Sequence, residues 1–242
     1  MKYVIFSDVH SNLEAIRAFQ NEIQNLEYDR IVFLGDSVGY GPDPIPVLQW
    51  LRKHVDIFLA GNHDYAVLGR ISTIKFSPYA HQSTMWTRKQ INDENKIFLV
   101  EHPIQISQDE IFWVHSSPFQ PEKWHYLTSV EDGPKNFSAF TEPLCFIGHS
   151  HHAFVMSQDP DSKVTMTRDS EVRLELDHRY IVSVGSLGQP RDGDPRPCFV
   201  TYDSVEKIVG FHRFNYDREL TQKKIEQTDL PSFFGERLEY GR

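Results

Sequence analysis

Short apolar runs alternate with amphipathic stretches along the first half of the chain. Residues 2–6 are apolar and β-branched, and the segment Ser11-Asn12-Leu13-Glu14 that follows has the spacing of a helix capping box. Apolar residues then recur near the helical period at Leu13, Ile16, Phe19, Ile23 and Leu26. The pattern therefore predicts a strand, a turn and a helix.

The same order of elements is repeated further along the chain. Residues 30–34 are predicted to form a buried strand, residues 35–46 a Gly/Pro-rich turn, residues 47–53 a helix and residues 56–60 a third strand. This alternation predicts βαβ units and a mainly parallel sheet, whose ligand sites lie beyond the carboxyl ends of its strands. Residues 64–100 are predicted to be helices that cover the sheet.

The second half consists mostly of short strand candidates, and antiparallel pairing is predicted to dominate there. These candidates are residues 111–114, 144–147, 163–168, 171–176, 180–184, 198–202 and 207–213. Residues 216–227 resemble a surface helix, and residues 228–242 are either a mobile end or a packing arm. We expect residues 1–242 to form a single α/β domain, a two-sheet β-sandwich flanked by helices.

Composition and charge limit the kinds of ligand and partner that the chain is expected to bind. The chain has two cysteines, Cys145 and Cys198, without a CxxC pair, which disfavours a disulfide framework or a thiolate zinc site and fits a reducing cytoplasm. No apolar run is long enough to span a bilayer, so no membrane insertion is expected. A net charge of −9 makes long nucleic acid a poor partner, whereas bound metal ions would allow a small anionic substrate.

Metal-ligand residue types directly follow four of the strand candidates. An Asp-x-His pair alone usually caps a turn or is solvated, but four clusters at successive sheet ends indicate a metal site. Carboxylate, imidazole and amide ligands suit manganese, iron or zinc, and two such ions sharing a carboxylate can clamp a phosphoryl group. The clusters are Asp8-Val9-His10, Gly35-Asp36-Ser37-Val38-Gly39, Gly61-Asn62-His63-Asp64 and Gly148-His149-Ser150-His151.

Within these clusters, Asp36 lies in a glycine-flanked turn and is the natural bridging carboxylate. His115 stands alone after the apolar residues 111–114, and a lone histidine is more often structural than a ligand. His152 extends the last cluster to a third histidine. Because neighbouring residues at a strand end point in different directions, we predict a surface or supporting role for it.

Together with His115, these motifs resemble the calcineurin-like metallophosphoesterase signature over about the first two thirds of the chain. The resemblance implies that Asp8, His10, Asp36 and His151 hold one divalent ion, and that Asp36, Asn62, His115 and His149 hold a second. It also implies an unligated His63 that faces the substrate phosphate, Asp64 orienting the His63 ring, and a metal-bound hydroxide as nucleophile. Ser116 stands where the family usually has glycine.

Two further segments leave alternatives open. Residues 183–192 resemble a segment of small microbial members of the family, and Arg191 either binds a second phosphate or lies in an ordinary Gly-Pro turn. Trp86 and the segment Trp124-His125-Tyr126 could wall a nucleobase site, but core packing is favoured for both.

The expected function is hydrolysis of a phosphate ester or anhydride in a small phosphorylated substrate. Resemblance to small bacterial members points to a nucleotide, with a dinucleoside polyphosphate as the specific hypothesis and a general small-molecule phosphodiesterase as the alternative. A rival of another class is a binding scaffold that keeps the fold without catalysis. Loss of the substrate-facing histidine would mark such a scaffold, and His63 is present.

Overall fold

A computed structural model describes residues 1–242, which form two six-stranded sheets with helices packed against them. The strands are β1 Lys2–Phe6, β2 Arg30–Phe33, β3 Ile57–Phe58, β4 Gln105–Gln108, β5 Ile111–Val114, β6 Leu144–Ile147, β7 Ala153–Gln158, β8 Val164–Thr167, β9 Glu171–Arg173, β10 Arg179–Val184, β11 Cys198–Asp203 and β12 Ile208–Arg213. The helices are α1 Leu13–Ile23, α2 Pro44–His54, α3 Asn62–Val67, α4 Pro78–Gln90, α5 Asp93–Val100, α6 Gly133–Phe137, α7 Arg218–Glu226 and α8 Phe233–Tyr240. The predicted α/β two-sheet fold is confirmed.

Each sheet combines a parallel set of three strands with antiparallel neighbours. The first sheet has the order β3-β2-β1-β11-β12-β9 and the second has the order β4-β5-β6-β10-β7-β8. Strands β1, β2 and β3 run parallel, as do β5, β6 and β10. The other pairings are antiparallel, so the predicted dominance of antiparallel pairs in the second half is confirmed.

Alternating side chains of β1 explain the layered core. Tyr3 and Ile5 belong to the buried cluster between the two sheets, whereas Phe6 packs on Phe19 of α1 with ring centroids 4.6 Å apart. Successive residues of a strand point to opposite faces, so a strand covered on both sides is apolar throughout. None of the helices has both the length and the apolar character needed to cross a membrane.

The structure departs from the predicted elements at two strands. Strands β4 and β7 were not predicted: β4 is a polar edge strand, and β7 begins two residues after the last histidine motif without a turn signal. The predicted helical stretch 64–100 is confirmed and consists of α3, α4 and α5. Residues 228–242 include α8, whose Phe234 and Leu238 are buried, so they form a packing arm.

Candidate metal centre and substrate cleft

The two parallel strand sets bring the motif residues together at one site. Each motif follows the carboxyl end of a strand: β1, β2, β3, β5 or β6. Nine of the ten predicted site residues are almost completely buried there, with exposed fractions of 0 to 6%. These nine, called the floor below, are Asp8, His10, Asp36, Asn62, His63, Asp64, His115, His149 and His151.

The backbone of the floor is held in an unfavourable conformation. Five of the seven candidate ligands have positive φ angles, from 47° to 62°: Asp8, His10, Asp36, His149 and His151. Residues other than glycine rarely adopt this left-handed region, and such outliers concentrate at functional sites. Gly35 is required for close approach, because a Cβ there would lie 2.7 Å from Nδ1 of His115.

The first group of candidate ligands is Asp8, His10 and His151. Oδ1 of Asp8 is 3.2 Å from Nε2 of His151 and 3.7 Å from Nε2 of His10, and this oxygen is buried without a hydrogen-bond partner. Ligand atoms about 2.1 Å from one metal ion are roughly 3.0 to 3.5 Å apart. The observed separations therefore fit a single bound ion.

The second group is Asp36, His115 and His149. Oδ2 of Asp36 lies 3.4 Å from Nε2 of His115 and also 3.7 Å from Nε2 of His10 in the first group. Oδ1 of Asn62 is 3.3 Å from the same His115 nitrogen. Asp36 is thus the carboxylate that the two groups share.

The histidine tautomers provide the strongest argument for a cation. Nδ1 of His10 donates to the carbonyl of Val38 (3.0 Å), and Nδ1 of His151 donates to the carbonyl of Gln189 (2.5 Å). Burial keeps the pKa of both rings well below the usual value, so both are neutral. Their Nε2 atoms, 3.1 Å apart, therefore present lone pairs to each other, an arrangement that a bound cation would stabilise.

His115 and His149 follow the same pattern. Nδ1 of His115 donates to the carbonyl of Leu34 (2.7 Å), and Nε2 of His149 donates to the carbonyl of Trp124 (2.9 Å). A metal-binding histidine typically donates its other ring N–H to a carbonyl or carboxylate, which fixes the tautomer and the ring orientation. All four candidate histidine ligands therefore have one ring nitrogen anchored and the other free to bind a metal.

His63 differs from these four histidines. Its Nδ1 is buried without a partner, and its ring packs at 4.4 Å against Tyr40 and at 4.9 Å against His10. Burial, together with the charge of Arg191, lowers the pKa of His63 to about 3. One of its nitrogens also lies within 4.8 Å of ligand atoms of His10 and Asp36.

The prediction that Asp64 orients the His63 ring is wrong. The Asp64 carboxylate accepts the backbone N–H groups of Asp36 (2.9 Å), Ser37 (3.0 Å) and Gly61 (2.9 Å), and the Ser37 hydroxyl at 2.5 Å. None of its hydrogen bonds involves His63. Asp64 instead fastens the Asp36 turn to the start of α3, which sets the position of the shared carboxylate.

Electrostatics within the floor fit a site built for positive charge. Burial raises the pKa of Asp36 above its ordinary value. Burial also lowers the pKa of His115, but the adjacent Asp36 carboxylate outweighs it and raises that pKa to about 9. A proton on His115 thus balances the buried Asp36 in the absence of metal, and a bound cation would replace it.

A cleft of about 490 Å³ opens above the floor. Cationic and aromatic side chains line much of it, and the rim is defined as six of them: Lys75, Lys123, Trp124, Tyr126, Arg191 and Arg237. Arg191 lines this cleft, with its guanidinium 5.5 Å above the Tyr40 ring, a position that is compatible with the phosphate-binding alternative. Arg237 has no motif around it and was not predicted.

The aromatic segment at the rim was misassigned. Tyr126 is 55% exposed and stacks on the ring of His149, with centroids 4.3 Å apart and planes at 6°, so core packing is wrong for it. Trp86, in contrast, packs against a buried cluster that includes Phe234 and Leu238 of α8, as predicted. His152 lies behind the site, where its Nε2 hydrogen-bonds the carbonyl of Arg191 (2.8 Å), in agreement with the predicted supporting role.

Comparison with known proteins agrees with this geometry. A crystal structure of a metallophosphoesterase from Sphaerobacter thermophilus matches the whole of both chains with a TM-score of 0.89 and 33% identity. An uncharacterized protein of Methanocaldococcus jannaschii is 35% identical over 98% of this chain and 97% of its own. A symmetrical bis(5'-nucleosyl)-tetraphosphatase of Pectobacterium carotovorum is 28% identical over 41% of this chain and 42% of its own.

One protein-family model matches most of the chain. The family model of the calcineurin-like phosphoesterase superfamily domain matches residues 1–207, which include every predicted site residue. The two-sheet fold and the metal-capable clusters at the strand ends agree with that match. This chain therefore belongs to the calcineurin-like phosphoesterase superfamily.

Proposed function

We propose that this chain is a metal-dependent phosphoesterase that hydrolyses a phosphate ester or anhydride of a nucleotide-type substrate. The observation that carries the proposal is the facing pair of Nε2 lone pairs on His10 and His151, beside an unpartnered Asp8 oxygen. Such a buried arrangement is costly unless a cation binds there. Family membership then supplies the reaction class.

We assign one divalent ion to Asp8, His10, Asp36 and His151, and a second to Asp36, Asn62, His115 and His149. His149 would bind through Nδ1, because its Nε2 donates to the Trp124 carbonyl. Two bound divalent ions, of manganese, iron or zinc, would lower the pKa of a water and neutralise charge on the phosphoryl oxygens.

His63 is assigned to the substrate rather than to a metal. It lacks the carbonyl anchor that the four ligand histidines have, and its buried Nδ1 has no partner within the protein. A neutral imidazole N–H can donate a hydrogen bond to a phosphoryl oxygen, and the negative charge of a bound phosphate raises the pKa of the ring. His63 then either stabilises the developing charge or protonates the leaving oxygen.

The rim supports a nucleotide-type substrate. Cationic side chains suit phosphate groups and the exposed Tyr126 ring suits stacking with a base, in a cleft large enough for a nucleotide. The partial similarity to a bis(5'-nucleosyl)-tetraphosphatase makes a dinucleoside polyphosphate the specific substrate that we propose. A general small-molecule phosphodiesterase is the alternative within this class, and a non-catalytic scaffold is the alternative outside it.

Metal reconstitution followed by a substrate panel tests the proposal. Purified protein is loaded separately with manganese, iron and zinc, and metal content is measured before activity. The panel contains a phosphomonoester, a phosphodiester, nucleoside mono- and triphosphates and a dinucleoside tetraphosphate. We expect close to two ions per chain and the highest kcat/KM on a dinucleoside polyphosphate.

Other outcomes separate the alternatives. The highest kcat/KM on a simple phosphodiester would favour the general phosphodiesterase. Metal-loaded protein that hydrolyses nothing in the panel, while still binding phosphate compounds, would favour the scaffold. Binding of no more than one ion per chain would contradict the assignment of Asp36 as a shared ligand.

A further inference from the structure

The C-terminal helix α8 packs directly behind the candidate site. It lies beyond residue 207, where the family match ends. Phe234 of α8 is buried against Tyr40 with ring centroids 4.8 Å apart, and the Tyr40 ring in turn lies 4.4 Å from the rings of both His10 and His63. The position of α8 is therefore linked to the floor through the Tyr40 ring.

The end of α8 is also fastened to the loop that carries Arg191. The N–H of Gly193 donates to the carbonyl of Gly241, the residue that caps α8, at 3.0 Å. Gly241 has a φ of 61°, and a Cβ on it would lie 2.6 Å from backbone atoms of Asp194. Close packing at this point holds α8 and the Arg191 loop in a fixed relation.

This arrangement brings two arginines, Arg191 and Arg237, into the same cleft, which Glu122 also lines, and neither arginine forms an ion pair with an acidic side chain. The nearby acids are engaged elsewhere, since Asp192 pairs with Arg213 and Asp194 pairs with Arg196. Nε of Arg191 is buried with no partner, and its Nη2 donates only to Gln189 at 3.1 Å.

The Arg237 guanidinium likewise forms no ion pair with an acidic side chain. Its Nε donates to the backbone oxygen of Arg242, the last residue of the chain, at 2.5 Å, and its other donors have no partner in the protein. Burial, and then the charge of Arg191, lower the pKa of Arg237 to about 10, which leaves it protonated at neutral pH. Two partly buried guanidinium groups with unused donors are a site for an anion, and their planar donor pattern matches phosphate.

We propose that Arg237 and Arg191 together bind a phosphate group other than the one that is cleaved, so that α8 determines preference for substrates with several phosphates. This inference rests on the proposed phosphoesterase function. The Arg191 guanidinium is held against the Tyr40 ring, which separately contacts His10 and His63. Because both arginines belong to the rim of the cleft and His63 to its floor, we assign them to a neighbouring phosphate rather than to the one facing His63.

The test compares Arg237→Gln with the parent protein on two substrates. Bis(p-nitrophenyl) phosphate has one phosphate, and a dinucleoside tetraphosphate has four. Loss of a charge-assisted contact is expected to raise KM for the tetraphosphate about tenfold to hundredfold, with kcat and the single-phosphate substrate little changed. Arg237→Lys, which keeps the charge without the planar fork, should recover part of the loss.

Arg242→Gln is the matched control, because it removes one positive charge from the same segment at an exposed side chain outside the cleft. It should behave as the parent protein on both substrates. Thermal unfolding of Arg237→Gln checks that α8 remains packed. Equal losses on both substrates would assign Arg237 to the reacting phosphate, and unchanged kinetics would remove it from substrate binding; either result overturns the inference.

A binding measurement keeps this inference separate from the proposed function. Calorimetric titration with inorganic tripolyphosphate and with inorganic phosphate requires no turnover. Arg237→Gln should weaken tripolyphosphate binding about tenfold or more and phosphate binding much less. If the parent protein hydrolyses no substrate, the proposed function fails, whereas equal tripolyphosphate affinity of the parent and variant proteins overturns the arginine subsite itself.

Discussion

The floor and the rim of the cleft are built in different ways. Floor side chains follow parallel strands and are buried, and most of them are anchored by backbone carbonyls and N–H groups, as for His115 on Leu34 and Asp64 on Ser37. Rim side chains lie on loops, a short 3-10 turn and α8, and all six line the cleft. A rigid floor beneath a less constrained rim is the arrangement in which one chemistry serves different substrates.

This difference predicts different consequences of substitution. A change in the floor alters metal content or the chemical step and should affect all substrates, because the reacting group is common to them. A change in the rim should alter the ranking of substrates with little effect on metal content. A floor variant that affected only some substrates would contradict this division.

Asp36→Asn should have the largest effect. The amide keeps the shape of the side chain but removes the negative charge that the two ligand groups share. We expect metal content to fall below two ions per chain and activity to approach background on every substrate, as measured by elemental analysis and steady-state kinetics.

Asp161→Asn is the control for this change, because Asp161 is an exposed carboxylate in the turn between β7 and β8, outside the motif loops. It should retain the parent metal content and activity. An Asp36→Asn protein that still held two ions and full activity would exclude the shared-ligand assignment.

His63→Gln should have the next largest effect. Removal of a positioned proton donor typically lowers the rate by roughly 10²- to 10⁴-fold, here without loss of metal or fold. Because an activated aryl phosphate needs little protonation of its leaving group, the loss should be smaller on it than on an alkyl ester. Equal losses on both would indicate stabilisation of the phosphoryl oxygens instead.

A metal measurement decides between the two roles that distance alone allows for His63. If His63→Gln empties one metal site, His63 is a metal ligand. The absence of a hydrogen bond to a backbone carbonyl would then not distinguish it from the ligand histidines. His81→Gln is the control, since His81 is exposed, belongs to none of the metal-capable groups and does not line the cleft.

The floor could be predicted from sequence because its residues come in short motifs at strand ends. Parallel strands deliver their carboxyl ends to one edge of a sheet, so strand order was not needed to expect Asp8, Asp36 and Asn62 near each other. The role of Asp64 could not be predicted in this way. Its partners Asp36 and Ser37 are 28 and 27 residues away, and only the folded turn shows that they use both carboxylate oxygens.

The rim was largely beyond prediction from one sequence. Tyr126 is part of an aromatic segment whose composition is equally typical of a buried core. Nothing in the neighbouring sequence shows that His149 covers only one face of the Tyr126 ring. Arg237 reaches the cleft because α8 docks on Tyr40 and Gly193, contacts that join residues 194 and 48 positions apart. Strand β4, polar at an edge, was missed for lack of apolar alternation.

Asp64→Asn tests the corrected role of this carboxylate. An amide has one acceptor oxygen and would turn its N–H₂ group toward backbone N–H donors that Asp64 now accepts. The free energy of unfolding of metal-free protein should fall by about 1–3 kcal/mol, as measured by denaturant unfolding. Unchanged stability with a selective loss of activity would instead return Asp64 to a role in orienting His63.

Tyr126→Ala should have the smallest effect and is the most direct test of the rim as a substrate selector. One face of the Tyr126 ring covers His149, and the side chain is still 55% exposed, which leaves the other face available to a base. Stacking of a base on an aromatic side chain contributes roughly 1–3 kcal/mol, and we expect the lower end of this range because the ring is not enclosed. The kcat/KM of the variant on a nucleotide should therefore fall about fivefold more than its kcat/KM on the corresponding ribose phosphate, which lacks the base. A fall that is the same on both substrates reports the contact with His149. Tyr126→Phe keeps the ring and should show neither the common fall nor the additional fall on the nucleotide. Equal losses on the two substrates would mean that Tyr126 supports the floor rather than the base, and the boundary between floor and rim would then have to be drawn beyond it.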